Sequence, residues 1–430
     1  MWSDTTFAGE RIAVVGLGRN GLPAARALAA LGADVVAWDD RAAARDAAVG
    51  VTIAEPDFAQ VDMLVLSPGI PHTLPSPHPI AAAAQAAGVP ILSDAEMLFQ
   101  AARRNGSEAK FVGVTGTNGK STTTALLAHI LGQAGVNVCA GGNLGIAALA
   151  LPHDADVYVL EMSSYMLERL RTMRFDVAAM LNLSPDHLDR HGDMAGYAGA
   201  KREIFARQDE RDHAVVGVDD VYSRDAAAWL RGEPASVTTI SAADRRGDTH
   251  ALRGAHNAQN AAAATAVARA LGIAESKIAD AISSFPGLAH RQEVVATRDG
   301  VAFVNDSKAT NAASTAHALA AFPRVVWIAG GVAKAGGIEA LAPLFGHVAS
   351  AVLIGRDAEM LARTLSAHGV AHGVVDTLMQ AVPLASNIAR EAEVDTVLLS
   401  PACASFDQFT GFEARGDAFR AAVAALGGER

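Results

Sequence analysis

Short apolar runs, each followed by a glycine-bearing turn and a stretch of helical period, recur along the whole chain. Residues 11–15 (RIAVV) read as a buried strand, and Gly16-Leu17-Gly18-Arg19-Asn20-Gly21 opens a helix reaching about Leu31. Further strands are expected at 34–38 and 63–66, the latter running into Ser67-Pro68-Gly69, with a proline-rich loop over 68–79 and a helix over 79–87. Ser93 is placed to cap a helix ending near Arg104, where a polar break follows. The alternation resumes with strands at 111–112, 136–139, 157–160, 177–181 and 214–218 and a helix over 261–270, then breaks again at Pro286-Gly287 and His290-Arg291. A last block carries strands at 301–304, 325–329, 352–354 and 397–399. Strand–turn–helix order throughout predicts an α/β chain of parallel sheets. The breaks divide it into three domains: a Rossmann-like N-terminal domain (1–97), a central P-loop ATPase domain (98–287) and a Rossmann-like C-terminal domain (288–430).

Length agrees with this division, since 430 residues exceed what one hydrophobic core organises. No apolar stretch reaches the roughly 18 residues needed to span a bilayer, and no secretory signal pattern opens the chain. A net charge of −11 argues against nucleic acid and anionic membranes as partners. Cys139 and Cys403 have no metal or redox spacing and read as reduced, buried thiols of a cytoplasmic protein. Lysine is scarce: only Lys110, Lys120, Lys201, Lys277, Lys308 and Lys334 stand among 35 basic residues. Where arginine has replaced most surface lysines, a retained lysine marks a place needing an amine or a compact charge. Four of the six fall inside the motifs that follow.

Gly113-Val114-Thr115-Gly116-Thr117-Asn118-Gly119-Lys120-Ser121-Thr122 joins an apolar run to a helix. Glycines three apart let backbone N–H groups turn toward phosphate oxygens, Lys120 adds a point charge, and the Ser121 hydroxyl suits Mg²⁺. The sequence therefore reads as a nucleoside triphosphate site, although Val114 stands where the strict motif has its first glycine. Glu161 ends the strand at 157–160, where P-loop enzymes keep a magnesium carboxylate. Ser184-Pro185-Asp186-His187-Leu188-Asp189-Arg190-His191 follows the next strand and is dense in metal-capable groups. Lys201 lies on a helix close behind; a bare ammonium opposes a metal site, so this lysine is out of place unless chemically altered. Near the N-terminus, Gly16-x-Gly18-x-x-Gly21 with Asp39 beyond it is a pyrophosphate-binding pattern that NAD or a UDP-sugar would satisfy equally. In the last block, 305–311 (NDSKATN), 330–334 (GGVAK) and 400–405 (SPACAS) follow strands where an open parallel sheet binds ligands, and their lysines and hydroxyls suit an anion.

GVTGTNGKST, EMSSYMLE (161–168), SPDHLDRHG, Lys201 and GAHNAQN (254–260) together resemble the Mur ligase family of peptidoglycan synthesis. NDSKATN and SPACASFDQF (400–409) are similar to its D-glutamate-adding branch. The resemblance implies an ATP-dependent acid–D-amino-acid ligase that adds D-glutamate to UDP-N-acetylmuramoyl-L-alanine through an acyl phosphate, releasing ADP and phosphate. It assigns Arg19, Asn20, Asp39, Asp40, Arg41, Ser67, Pro68, Gly69, Asn143 and Ser163 to the UDP-substrate. Gly116, Thr117, Asn118, Gly119, Lys120, Ser121, Thr122, Asn257, Asn260, Arg291 and Asp306 fall to ATP. Lys308, Thr310, Lys334, Ser405 and Phe412 fall to glutamate. Two Mg²⁺ ions are implied, one on Ser121 and Glu161, the other on Glu161, His187 and Lys201 as its CO₂-derived carbamate, with Lys120, Glu161, His187 and Lys201 as the catalytic set. The family pattern has Gln where this chain has Met166, a contact to the muramoyl group. A cytoplasmic monomer serving cell-wall biogenesis, cell shape and cell division completes the expectation. Two rivals stay open: a nicotinamide-dependent oxidoreductase built on the Gly16–Gly21 turn, and a nucleotide-binding regulator without ligase activity.

Overall fold

The computed structural model describes residues 2–143, 145–244, 252, 254–334 and 336–426. They form two compact units: residues 1–247 with 257–285, and residues 248–256 with 286–430.

The first unit holds two parallel sheets. In one, Arg11–Val15 lies centrally between Asp34–Trp38 and Met63–Leu66, with Thr52–Ile53 and Ile91–Leu92 at the edges. In the other, the order is Ser236–Ile240, His213–Gly217, Val177–Met180, Lys110–Thr115, Val157–Glu161, Val138–Gly142, all parallel. Both faces are covered by helices, so the strands are nearly continuous apolar runs, as buried parallel strands require. One apolar cluster runs from Phe7 and Leu28 through Leu98 and Phe111 to Met166 and Leu230, joining the two sheets into one core. Helix Asp94–Arg104 spans residue 97 and is capped by Ser93, whose Oγ accepts from the Glu96 N–H. The strand expected at 136–139 begins two residues later. Val136 N–H closes the preceding helix on Leu131 O, and the Asn137 amide donates to Asp154 O, so both belong to the turn.

The second unit has one six-stranded sheet, ordered Glu293–Arg298, Val301–Asn305, Thr396–Leu399, Val325–Gly330, Val348–Ile354, His372–Val374. The first pair is an antiparallel hairpin on an otherwise parallel sheet. It turns at Asp299-Gly300, both at positive φ (50° and 79°), the two-residue turn whose twist matches paired strands. Apolar clusters fill both faces, around Trp327 on one and Phe419 on the other. No helix among the described residues is long and apolar enough to cross a membrane.

Candidate active site

In the first unit the candidate residues gather at the carboxyl ends of the central sheet. Strand Lys110–Thr115 delivers the chain into the phosphate loop, and helix Lys120–Gln133 leaves it with Ser121 buried in its first turn. Gly116 (φ 148°) and Gly119 (φ 84°) hold backbone conformations that side chains resist. A Cβ on Gly119 would stand 2.0 Å from Asn260 Oδ1, so Asn260 lies against the loop. Gly113 has a different task. It sits inside the strand, where a Cβ would meet Phe175 and Ile204 at 2.8 and 2.9 Å, so its missing side chain makes room in the core and shapes no phosphate nest. Asn182 supplies a constraint the sequence reading missed. Its backbone O and Oδ1 accept from Thr117 N–H (2.8 Å) and Asn118 N–H (2.9 Å), holding the loop to the neighbouring strand end.

Behind this loop lies the predicted metal side. Glu161 is the last residue of strand Val157–Glu161 and is buried. Its Oε1 accepts from Asn143 Nδ2 (2.8 Å), while its buried Oε2 has no hydrogen-bond partner among the described residues. A buried carboxylate oxygen left unsatisfied is costly and fits a cation ligand. Lys201, on helix Met194–Arg202, is buried, donates to Gly116 O at 2.9 Å and to Thr115 Oγ1 at 3.4 Å, and lies over the Tyr197 ring. Burial first, then the nearby Lys120 charge, pulls its pKa well below the usual lysine range, against Asp186 and Glu161, which oppose the shift. The shift favours the uncharged, nucleophilic form of the amine. His187 sits in the left-handed region (φ 54°), a conformation typically costing about 1–3 kcal/mol. Burial chiefly, with Lys201 and Lys120 adding to it, lowers its pKa, favouring the neutral imidazole that ligates metals. Among the described residues no three His, Cys, Asp or Glu side chains form a metal-binding group. The predicted set contains only two of these, so its remaining ligands would be hydroxyl, lysine-derived and phosphate oxygens.

The Gly16–Gly21 turn packs against Ser67, whose Oγ donates to Gly16 O (2.7 Å). Asp39 is buried with both oxygens engaged, by Leu17 N–H and by the backbone and guanidinium of Arg41. Burial raises its pKa, but these hydrogen bonds outweigh that and lower it. Asp40 is exposed and pairs with His78, Arg19 is exposed, and Asn20 Nδ2 donates to Gly142 O (3.2 Å), next to Asn143. Ser163 caps the short helix Ser164–Leu167. Met166 is fully buried in the core, which makes it a packing residue here. Cys403 is buried as expected, whereas Cys139 is only half-buried at an edge strand where the sheet leaves one side partly open.

In the second unit the three expected loops do converge, on a residue the sequence reading missed. Arg415 is buried; its Nε donates to Ser307 Oγ (3.0 Å), Nη2 to Ser307 O (2.9 Å), and Nη1 to Cys403 O (3.0 Å) and Gly330 O (3.4 Å). One guanidinium thus joins the 305–311, 330–334 and 400–405 loops, and burial pulls its pKa down to about 10. Lys308 Nζ stands 3.8 Å from the Phe412 ring centroid, Ser405 is buried, and Lys334 is exposed. Asp306, also buried, accepts from Ser400 Oγ (2.7 Å) and Gln292 N–H (3.2 Å). Burial, only partly opposed by these bonds and Arg291, pushes its carboxyl up to about 7. Lys308, Thr310, Lys334, Ser405, Phe412, Arg291 and Asp306 belong to this unit; the phosphate loop, Asn257 and Asn260 belong to the first.

Residues 114–251 match the Mur ligase middle domain, and residues 290–403 match the Mur ligase glutamate ligase domain. The UDP-N-acetylmuramoylalanine--D-glutamate ligase of Paramagnetospirillum magneticum is 46% identical over 99% of both chains. The enzyme of the same name from Novosphingobium aromaticivorans is 47% identical over 98% of this chain and 96% of its own. The chain belongs to the Mur ligase family. Among solved structures, MurC from Thermotoga maritima superposes with a TM-score of 0.58 at 18% identity, covering 97% of this chain and 99% of its own, a likeness of fold. Crystal structure I of MurF from Acinetobacter baumannii gives 0.59 at 17% identity, covering 98% and 93%. A Mur ligase is an ATP-dependent, amide-bond-forming enzyme, so the oxidoreductase and regulator readings fall away.

Proposed function

We propose that this ligase adds D-glutamate to UDP-N-acetylmuramoyl-L-alanine at the expense of ATP, in the assembly of peptidoglycan precursors. The observation that supports the mechanism is the buried pair behind the phosphate loop, Lys201 with its pKa pulled down by burial and a Glu161 oxygen without a partner among the described residues. Residues 1–97 hold the UDP-substrate, 98–287 hold ATP and 288–430 hold glutamate. The substrate carboxylate attacks the γ-phosphorus, the bond to the β-phosphate oxygen breaks, and ADP leaves. Glutamate's amine then attacks the acyl carbon, phosphate departs, and the amine loses its proton. Lys120 and the N–H groups at the start of helix Lys120–Gln133 offset charge on the transferring phosphoryl group.

Ser121, Glu161, His187 and Lys201 would hold two Mg²⁺ ions, which neutralise phosphate charge when bound. Lys201 acts there as its carbamate: in its uncharged form Nζ bonds to the carbon of CO₂ and releases a proton, turning an amine into an anionic oxygen ligand. Arginine cannot do this. Lys308, Thr310, Lys334, Ser405 and Phe412 bind glutamate, with lysines meeting its carboxylates. The enzyme works as a cytoplasmic monomer in growth, cell shape and division. The test is phosphate release with a panel of UDP-muramoyl precursors and of D- and L-amino acids. Release that requires UDP-N-acetylmuramoyl-L-alanine and D-glutamate together is expected. Equal turnover with L-glutamate would overturn the stereochemical assignment, and release without either substrate would overturn the ligase.

A further inference from the structure

Arg169 is buried, has no acidic hydrogen-bond partner among the described residues, and spends its guanidinium chiefly on backbone carbonyls. Nη1 donates to Leu66 O (2.7 Å) and Ser67 O (2.9 Å), and Nη2 donates to Ile70 O (2.5 Å). Nε and Nη2 face His72 Nδ1 at 3.3 and 3.2 Å. Burial above all keeps His72 neutral, its pKa lowered to about 4, so Nδ1 is free to accept. One side chain thus holds the carbonyls of Leu66, Ser67 and Ile70 and the His72 ring, and with them the loop containing Ser67, Pro68 and Gly69.

The base of Arg169 is held as firmly as its head. Ser93 N–H donates to Arg169 O (3.2 Å), and the buried Glu96 carboxylate accepts from the Arg171, Thr172 and Met173 N–H groups. A planar guanidinium anchored at both ends is pre-organised to set several carbonyls at once, which a lysine ammonium is not. The same loop is tied on its other side, where Ser67 N–H donates to Val15 O (2.9 Å) and Ser67 Oγ donates to Gly16 O (2.7 Å), so its path beside the Gly16–Gly21 turn is set from both sides.

We propose that Arg169 is a positioning residue for the UDP-substrate, shaping the 66–72 loop that receives it. This rests on the ligase reading above and assigns to Arg169 no contact with reacting atoms. Replacing it would leave phosphate handling intact and weaken one substrate alone.

The experiment measures KM for UDP-N-acetylmuramoyl-L-alanine and for ATP, together with kcat and melting temperature, in Arg169→Lys, Arg169→Ala and His72→Leu. For Arg169→Lys we expect a UDP-substrate KM about tenfold higher, the equivalent of one charge-assisted hydrogen bond, with ATP KM and kcat within about twofold. His72→Leu keeps the arginine but removes one acceptor, and a smaller rise in the same constant is expected. Should the Arg169 variants fail to fold, His72→Leu decides the matter. An unchanged UDP-substrate KM in folded Arg169→Lys, or an equal rise in both Michaelis constants, would overturn the proposal. A wild-type enzyme that ligates nothing would instead overturn the ligase reading, so the two failures are distinct.

Discussion

Gly119→Ala perturbs the part of the loop that we propose serves phosphate. The residue holds φ 84°, where an alanine costs about 1–2 kcal/mol. Its new Cβ would also stand 2.0 Å from Asn260 Oδ1, closer than any atoms tolerate, so Asn260 must rotate away. Asn260 is buried and donates to Asn257 Oδ1 (3.1 Å), a bond whose loss costs about 1 kcal/mol. The two costs sum to about 2–3 kcal/mol, a melting temperature lower by roughly 3–5 °C for a unit of this size. Moving the loop would also move the N–H groups that we propose meet phosphate, so ATP KM should rise at least about tenfold. Gly113→Ala is the matched control, because its Cβ meets Phe175 and Ile204 in the core. It should lose about 1–3 kcal/mol to overpacking while ATP KM stays near wild type. Differential scanning fluorimetry and ATP-dependent phosphate release read both quantities. Wild-type ATP affinity in Gly119→Ala, or a larger ATP defect in Gly113→Ala, would refute this division of labour.

Lys201→Ala should be nearly inactive in phosphate release and partly restored by acetate, and Lys201→Arg should be inactive; a fully active Lys201→Arg would exclude the carbamate. Asp306 has a folded pKa raised to about 7, so its protonated form stabilises the second unit below the unfolded value near 4, and that contribution fades as pH climbs through 7. Melting curves across pH 4–8 should therefore show Asp306→Asn gaining on wild type as pH rises, and a constant difference would contradict the buried, protonated carboxyl. Met166→Gln places an amide in a fully buried apolar position and should cost about 1–3 kcal/mol of stability; a variant as stable as wild type would mean the amide finds a partner at the substrate side.

Periodicity gave away most strands because buried parallel strands are short apolar runs with glycine turns, as at 11–15 and 325–330. The first strand of the hairpin, Glu293–Arg298, escaped because it is half-buried and mixed in polarity. Its Asp-Gly turn was the available signal. Lysine scarcity pointed to Lys201 and Lys308 because a rare residue carries information where it persists. Gly113 misled for the opposite reason: glycine spacing cannot distinguish a loop that bends from a strand that needs room. Asn182 and Met166 required the fold, since nothing in their neighbourhoods says which way a side chain faces.

Arg169 and Arg415 were invisible for a reason that also explains why they are there. In a chain whose basic residues are nearly all arginine, one more arginine carries no signal. Yet the loops they hold, SPGI at 67–70 and SPACAS at 400–405, consist of small residues and proline with few side chains able to fix one another. Small residues leave backbone groups accessible to a ligand, but they also leave the loop without internal support. A buried guanidinium supplies that support from below, giving several carbonyl oxygens a donor that the loop itself lacks. Loops kept small for access need a rigid multi-donor from elsewhere in the fold. Each unit meets that need with an arginine lying in a different segment from the loops it binds.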